Sequence, residues 1–273
     1  MSVSDDAFLG GGLDILQPLQ GYRAGLDAVF LAAAVRGQDG AAFSVLDVGA
    51  GVGTAGLCVA RRCPEARVVL LEREGDLVAL ARENISRNGL GDRVSVLAAD
   101  VGRVREGDLA AAGLSESGFD VVIANPPFHT EGAGTPARAA LKAAAHAMAE
   151  TALADWARFL ARMARPGGEA IVIHKADALP EVLQSLDGRF GGLSCQPLHP
   201  RAGEAANRVL VRGRKGSRAP FRMLPGLVVH GPDNRPTTAA EGVLRLGLAL
   251  DVAYGDEPRD ASAQGAGRQV HRG

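Results

Sequence analysis

The chain has 273 residues, 47% of them apolar and 4% aromatic, with 30 Lys and Arg balanced by 31 Asp and Glu. This is the composition of an ordinary globular protein whose core is filled mainly by Ala, Leu and Val, sized for one large α/β domain or a domain with an extension. No apolar run approaches the roughly 20 residues of a bilayer span, and Asp5 and Asp6 stand where a secretory leader would be basic, so a cytoplasmic protein without membrane contact is expected.

In chain order, residues 1–12 read as a flexible N-terminus and 13–250 as a single domain. Strand Ser44–Val48 runs into a glycine turn and a helix from Thr54 to Arg62. Strand Arg67–Leu71 ends at Glu72, and the helix Asp76–Arg87 places Leu77, Leu80, Ala81 and Ile85 on one face before stopping at Asn88-Gly89. Strand Arg93–Leu97 leads to Asp100. Strand Phe119–Ala124 ends in Asn125-Pro126-Pro127-Phe128. An Ala-rich helical region over Pro136–Arg165 closes at Pro166-Gly167-Gly168, ahead of strand Glu169–His174 and a short helix at Ala178–Asp187. Strands Leu193–Leu198 and Asn207–Gly213 can close the sheet as a hairpin. Alternating strands and helices predict a parallel sheet covered on both faces. Seven strands ending in an antiparallel hairpin is the arrangement of Rossmann-like methyltransferases. Residues 255–273, rich in Gly, Ala and charge, read as a disordered tail.

The near-neutral total conceals an asymmetry. Residues 1–135 carry a net charge of −7 and residues 136–273 a net charge of +6. Arg201, Arg208, Arg212, Arg214, Lys215, Arg218 and Arg222 face a single acid, Glu204. Such a stripe suits a phosphate backbone, although charge that guards an edge hairpin against aggregation produces the same pattern. Cys58, Cys63 and Cys195 have no metal-ligand spacing, so no metal is expected, and Cys58 and Cys63 read as small inert side chains in or beside a helix.

Gly51-x-Gly53-x-x-Gly56 formally matches a dinucleotide fingerprint, with Glu72 near the spacing of its ribose-binding acid. The fuller pattern is Asp47-x-Gly49-x-Gly51-x-Gly53. A carboxylate two residues before the first glycine repels a pyrophosphate but suits the cationic sulfonium and ammonium of S-adenosylmethionine. The glycines admit the cofactor to the backbone, and the helix N-terminus that follows suits its carboxylate. Glu72 then serves the ribose hydroxyls and Asp100 the adenine amine. Read singly, either acid could merely cap the next helix.

Asn125-Pro126-Pro127-Phe128 taken alone could be no more than a strand-ending turn. Downstream of the glycine motif it describes a site that methylates a planar nitrogen. The Asn125 side-chain carbonyl and the Pro126 backbone carbonyl accept the two amine hydrogens and draw the nitrogen toward a tetrahedral form with a free lone pair. The two prolines fix the backbone, and Phe128 offers a stacking face. His129 reads as a loop side chain and is not assigned as a base.

With these motifs the chain resembles the bacterial adenine-N6 methyltransferases that modify a valine tRNA beside the anticodon. The likeness rests on Gly21-Tyr22-Arg23-Ala24-Gly25-Leu26-Asp27-Ala28, the glycine motif Asp47–Gly53, Asn84, Asn88-Gly89 and Asn125–Phe128. It continues through Asn207-Arg208-Val209-Leu210 and Leu227–Asn234, and covers residues 13–250. Many members carry Tyr where Phe128 stands, and the Arg201–Arg222 stretch is more arginine-rich than that family suggests. The resemblance implies a class I methyltransferase using S-adenosylmethionine on an adenine amine in structured RNA, foremost a tRNA. It implies that the segment from Tyr22 to Asp27 closes the cofactor pocket, with Asp27 near the methionine end. Methylation of a protein glutamine amide or of a ribosomal RNA guanine amine uses the same chemistry and remains open. A nicotinamide oxidoreductase is the rival from another class, and it leaves Asn-Pro-Pro-Phe unexplained.

Overall fold

The computed structural model describes residues 2–20, 23–37, 40–102, 106–111, 114–127 and 153–250. The expectations for Tyr22, Phe128, the Ala-rich stretch 137–149 and the tail 255–273 therefore lie outside the described residues. Residues 1–12, expected to be flexible, instead contain β1 (Val3–Phe8), which pairs antiparallel with β2 (Leu13–Pro18). Leu13 and Ile15 anchor the hairpin in the core. Its polar outer strand concealed this, because every second residue of β1 stays exposed.

Period-two alternation builds the main sheet with two buried faces. Its strands are β3 (Phe43–Val48), β4 (Ala66–Glu72), β5 (Val94–Ala98), β6 (Phe119–Ala124), β7 (Ala164–Lys175), β8 (Gly191–Arg201) and β9 (Arg208–Arg214), with the short β10 (Arg222–Met223) and β11 (Leu227–His230). The order is β5-β4-β3-β6-β7-β9-β8, and both short strands pair with β8. The seven expected strands and the β8–β9 antiparallel hairpin are present. The two additional strands, of two and four residues, are too short to carry a periodic signal. Among the described strands of this sheet only β9 runs against the common direction. Val45, Val68, Leu70, Ile123, Ile171 and Ile173 fill one face, while Leu46, Val48, Leu71, Val122, Ala124 and Val172 fill the other.

Around the sheet lie α1 (Leu26–Ala34), α2 (Thr54–Arg62), α3 (Gly75–Arg87), α4 (Glu106–Ala111), α5 (residues 153–163), α6 (Leu179–Leu186) and α7 (Thr238–Leu244). Sequence periodicity does not show α1, because Ala28 through Ala34 are all buried and no polar face remains to mark it. In α3 the buried positions are Val78, Ala81, Asn84 and Ile85, with Leu77 and Leu80 only partly covered. The Pro-Gly-Gly segment, expected as a loop, lies inside β7, where the pairing with β6 shifts register between Phe119 and Val121. No helix among the described residues is long and apolar enough to cross a membrane.

The strand order reverses between β3 and β6. In open α/β sheets the crevice at the carboxyl ends of the strands beside such a reversal is where ligands bind. Asp47, Gly49 and Asn125 all sit there.

Candidate active site

The turn after β3 is built by its own backbone. Gly49 and Ala50 donate to the Leu71 carbonyl at 2.8 and 3.0 Å, and Gly53 donates to the Ala50 carbonyl at 2.9 Å. Gly49, Gly51 and Gly53 have φ of 67, 58 and 90°, the left-handed region glycine occupies without a steric cost. Gly49 has a second constraint. A Cβ there would overlap the indole of Trp156, which projects from α5 onto the turn.

Asp47 is buried and its Oδ2 accepts from the Gly56 N–H at 2.8 Å. Burial pushes its carboxyl up to about 7; the Gly56 hydrogen bond opposes the shift and the charge of Glu72 adds to it. Glu72, at the end of β4, is also buried. Its Oε2 accepts from Gly51 N–H at 2.8 Å, and its Oε1 accepts from the Arg73 and Glu74 amides at 2.8 and 2.9 Å. Glu72 therefore shapes the glycine turn. Each carboxylate oxygen keeps further acceptor capacity for a hydroxyl.

A small cleft, open to solvent, is lined by Ala24, Ala28, Asp47, Gly51, Thr54 and Asn125 among others. Ala124, the residue before Asn125, pairs directly with Val48, the residue before Gly49. This register sets the Asn-Pro-Pro turn beside the glycine turn. Pro126 is buried behind Asn125 and lines a smaller apolar cavity with Trp156, Leu160 and Val172, while Pro127 is exposed.

The sequence-derived residues divide accordingly. Asp47, Gly49, Gly51 and Asn125 line one cleft, with Gly53 as the N-cap of α2 behind it. Glu72 contributes through Gly51. Asp100 lies just past β5, where its Oδ1 accepts from Gly102 N–H at 2.9 Å. Asp27, in the first turn of α1, is paired with Arg208. The basic stripe is not a continuous surface. Arg208 is held by Asp27, Arg212 donates to the Ala34 carbonyl and pairs with Glu169, and Lys215 donates to the Ala161 and Ala164 carbonyls at 2.7 Å each. The last two cations cap the ends of α1 and α5, where the helix dipole favours them. Arg201 contacts Glu204 and Asn234, and Arg214 donates to the Gly167 carbonyl at 2.9 Å.

Sequence reading assigned no role in the site to three contributors. Trp156 was visible as the only tryptophan of an aromatic-poor chain, but its partner is 107 residues away in sequence. Asn84 was visible as a polar residue in the apolar stripe of α3. It is fully buried and joins Leu16 N–H, Leu16 carbonyl and the Val52 carbonyl of the glycine turn. Gln17 exchanges two hydrogen bonds with the Ala24 backbone, at 2.7 and 3.3 Å, and so holds the segment at the cleft mouth.

S-adenosylmethionine fits these residues. The buried Thr54 Oγ1 at the start of α2 lines the cleft with no partner among the described residues, a donor and acceptor waiting for a polar ligand atom. Asp47 supplies negative charge for a cationic cofactor, and Gly49 and Gly51 leave room beside the backbone. A doubly wound sheet with this cleft at its reversal point defines a Rossmann-like, S-adenosylmethionine-dependent methyltransferase. The chain belongs to the methyltransferase small domain family, whose model matches residues 28–184. It is 30% identical to the tRNA1(Val) (adenine(37)-N6)-methyltransferase of Aeromonas hydrophila over 63% of this chain and 69% of the relative. It is 31% identical to the enzyme of that name from Phocaeicola vulgatus, over 62% and 67%. A crystal structure of a predicted O-methyltransferase from Agrobacterium tumefaciens aligns over 80% of this chain and 94% of its own, at 31% identity and a TM-score of 0.66.

Proposed function

We propose that this chain transfers a methyl group from S-adenosylmethionine to the exocyclic N6 amine of an adenine in tRNA, next to the anticodon. The observation that carries the reading is the register that sets the Asn125-Pro126 turn directly beside the glycine turn, with Asn125 in one cleft with Asp47. The names of the two relatives at 30 and 31% identity support the choice of adenine and of tRNA.

The cofactor supplies an electrophilic methyl on a positively charged sulfur. The rest falls to the chain. Asn125 Oδ1 and the Pro126 carbonyl accept the two amine hydrogens, which orients the nitrogen and localises its lone pair toward the methyl carbon. Positioning of this kind can supply several kcal/mol of the barrier. The amine proton becomes acidic only as the new bond forms and leaves to water through the open cleft, so the step needs no strong base. Buried Pro126, backed by Trp156, fixes the turn that presents both acceptors.

The test is methyl transfer from labelled S-adenosylmethionine to tRNA purified from cells lacking this protein, followed by nucleoside analysis. Label in N6-methyladenosine is expected. Label in a guanine amine, in a ribose or other oxygen, or in release-factor glutamine with none in tRNA would overturn the reading.

A further inference from the structure

From residue 205 to residue 232 the chain contains Arg208, Arg212, Arg214, Lys215, Arg218 and Arg222 and no Asp or Glu. Arg208, Arg212 and Lys215 are spent on internal partners. Arg218 and Arg222 are exposed and form no ion pair among the described residues. Phe221 and Met223 beside them are 47% and 57% exposed, in a chain with few aromatic residues. This group of four occupies the sheet edge formed by β10 and the turn before it.

The position of that edge follows from the ladder. Met223 pairs with Cys195, Cys195 with Val211, Val211 with Val172, and Val172 with Ala124. The exposed edge is therefore level with Asn125 along the strands and four strand spacings away across the sheet, roughly 19 Å at about 4.8 Å per spacing. A nucleoside seated in the cleft cannot touch it, whereas a folded RNA can. Cations that only guard an edge against pairing have no use for an exposed Phe and Met beside them, and a two-residue strand is already short enough to be protected.

Resting on the reading of the substrate as tRNA, we propose that this edge is its second contact. Arg218 and Arg222 neutralise backbone phosphates, and Phe221 gives an unpaired base a flat face, about 19 Å from the amine being methylated. The edge thereby selects a folded RNA over a short oligonucleotide carrying the same adenine.

The experiment is binding of full-length tRNA without cofactor over a salt series, together with methylation of tRNA and of a seven-nucleotide loop analogue. Against wild type, R218E/R222E is expected to bind tRNA at least about tenfold more weakly, with a log–log salt slope shallower by about 2, one unit per lost phosphate contact. Neutral R218A/R222A should show the same change of slope, and F221A should bind several-fold more weakly at an unchanged slope. Affinity for S-adenosylmethionine and turnover of the loop analogue should not change. Unchanged tRNA affinity and slope in both arginine variants, equal losses on tRNA and loop analogue, or loss of self-association in their place would each overturn the proposal. Wild type that binds tRNA with these slopes yet transfers no methyl would overturn the reaction and leave the edge standing. Wild type that binds no tRNA would overturn the edge.

Discussion

Asp27, in the first turn of α1, and Arg208, the first residue of β9, meet in a 2.8 Å ion pair. The pair joins a residue expected at the cofactor to one expected at the RNA, and it ties the last antiparallel strand to the helix whose Ala28 lines the cleft. Both side chains keep about a quarter of their surface exposed, so the pair contributes at most about 1 kcal/mol. Its effect is to orient α1. Replacing Arg208 with Ala should therefore weaken S-adenosylmethionine binding a few-fold, lower stability by less than about 1 kcal/mol, and leave the salt slope of tRNA binding unchanged. Calorimetric titration and a salt series check both. A shallower slope would return Arg208 to the RNA surface.

Asn84 links the N-terminal hairpin to the cofactor turn. Its amide pairs both ways with Leu16 at 2.8 and 3.1 Å and reaches the Val52 carbonyl at 3.0 Å. Asn84→Ala strands these buried groups, at about 1–3 kcal/mol for each that water cannot reach. Urea unfolding should show a loss of about 2–4 kcal/mol, with weaker cofactor binding because the glycine turn loses its anchor. Asn84→Asp should be no better, since a carboxylate cannot donate to two carbonyls.

Trp156 lies against Gly49 and is the only tryptophan. Its fluorescence should shift when S-adenosylmethionine enters the cleft, and the titration should yield the same dissociation constant as calorimetry. Gly49→Ala should cost stability twice over, through a positive φ unfavourable for a Cβ and through overlap with the indole. Combining it with Trp156→Phe should recover the second loss but not the first. Full recovery in a melting experiment would mean that φ is not the constraint.

How much was legible in the sequence depended on how local the signal was. β6 is bounded in the structure as its composition suggests, at Phe119–Ala124, and α2 likewise at Thr54–Arg62, since a glycine turn and an Asn-Pro-Pro turn punctuate them. The cleft residues Asp47, Gly49, Gly51 and Asn125 were legible because they cluster at and just past the carboxyl ends of two apolar strands, β3 and β6. β1 was not, because its burial comes from a partner strand and an inner face supplied by β2. Which cations of the basic stripe meet internal partners was not legible for a related reason. Local composition counts charges, but whether Arg212 meets the carbonyl of Ala34 or solvent depends on a helix 178 residues away.

Asn125 carries the chemistry of the proposal, and its substitution should separate turnover from binding. Asn125→Ala removes an acceptor that acts on the amine only as the methyl moves across. By analogy with removal of one preorganised hydrogen-bonding group elsewhere, turnover should fall by about 10²–10³-fold. S-adenosylmethionine affinity, measured by the Trp156 signal or by calorimetry, should stay within about twofold, because Gly49, Gly51 and Asp47 remain. Asn125→Asp keeps an acceptor and should retain part of the rate. Parallel loss of cofactor binding and turnover in the Ala variant would assign Asn125 to the fold of the cleft instead.

Asp47 should make cofactor binding depend on pH. Burial raises its carboxyl from 3.8 to about 7, against the Gly56 hydrogen bond and with help from the charge of Glu72. A raised carboxyl means that the native state holds its proton more tightly than the unfolded chain does. Its contribution to stability is therefore complete below about pH 3.8, is lost as pH rises to about 7, and changes little beyond. The cationic cofactor reverses the preference, since a sulfonium and an ammonium in the cleft favour the ionised acid. S-adenosylmethionine affinity should thus rise with pH by at most about tenfold per unit below pH 7 and level off above it, with a proton released on binding. Asp47→Asn should flatten that dependence, and the difference between wild type and variant separates Asp47 from the titration of the cofactor's own amine. Titrations between pH 5.5 and about 8.5, in two buffers of different ionisation enthalpy, measure both the slope and the proton. An identical pH profile in wild type and Asp47→Asn would show that Asp47 stays neutral beneath the bound cofactor and acts only through its hydrogen bond to Gly56.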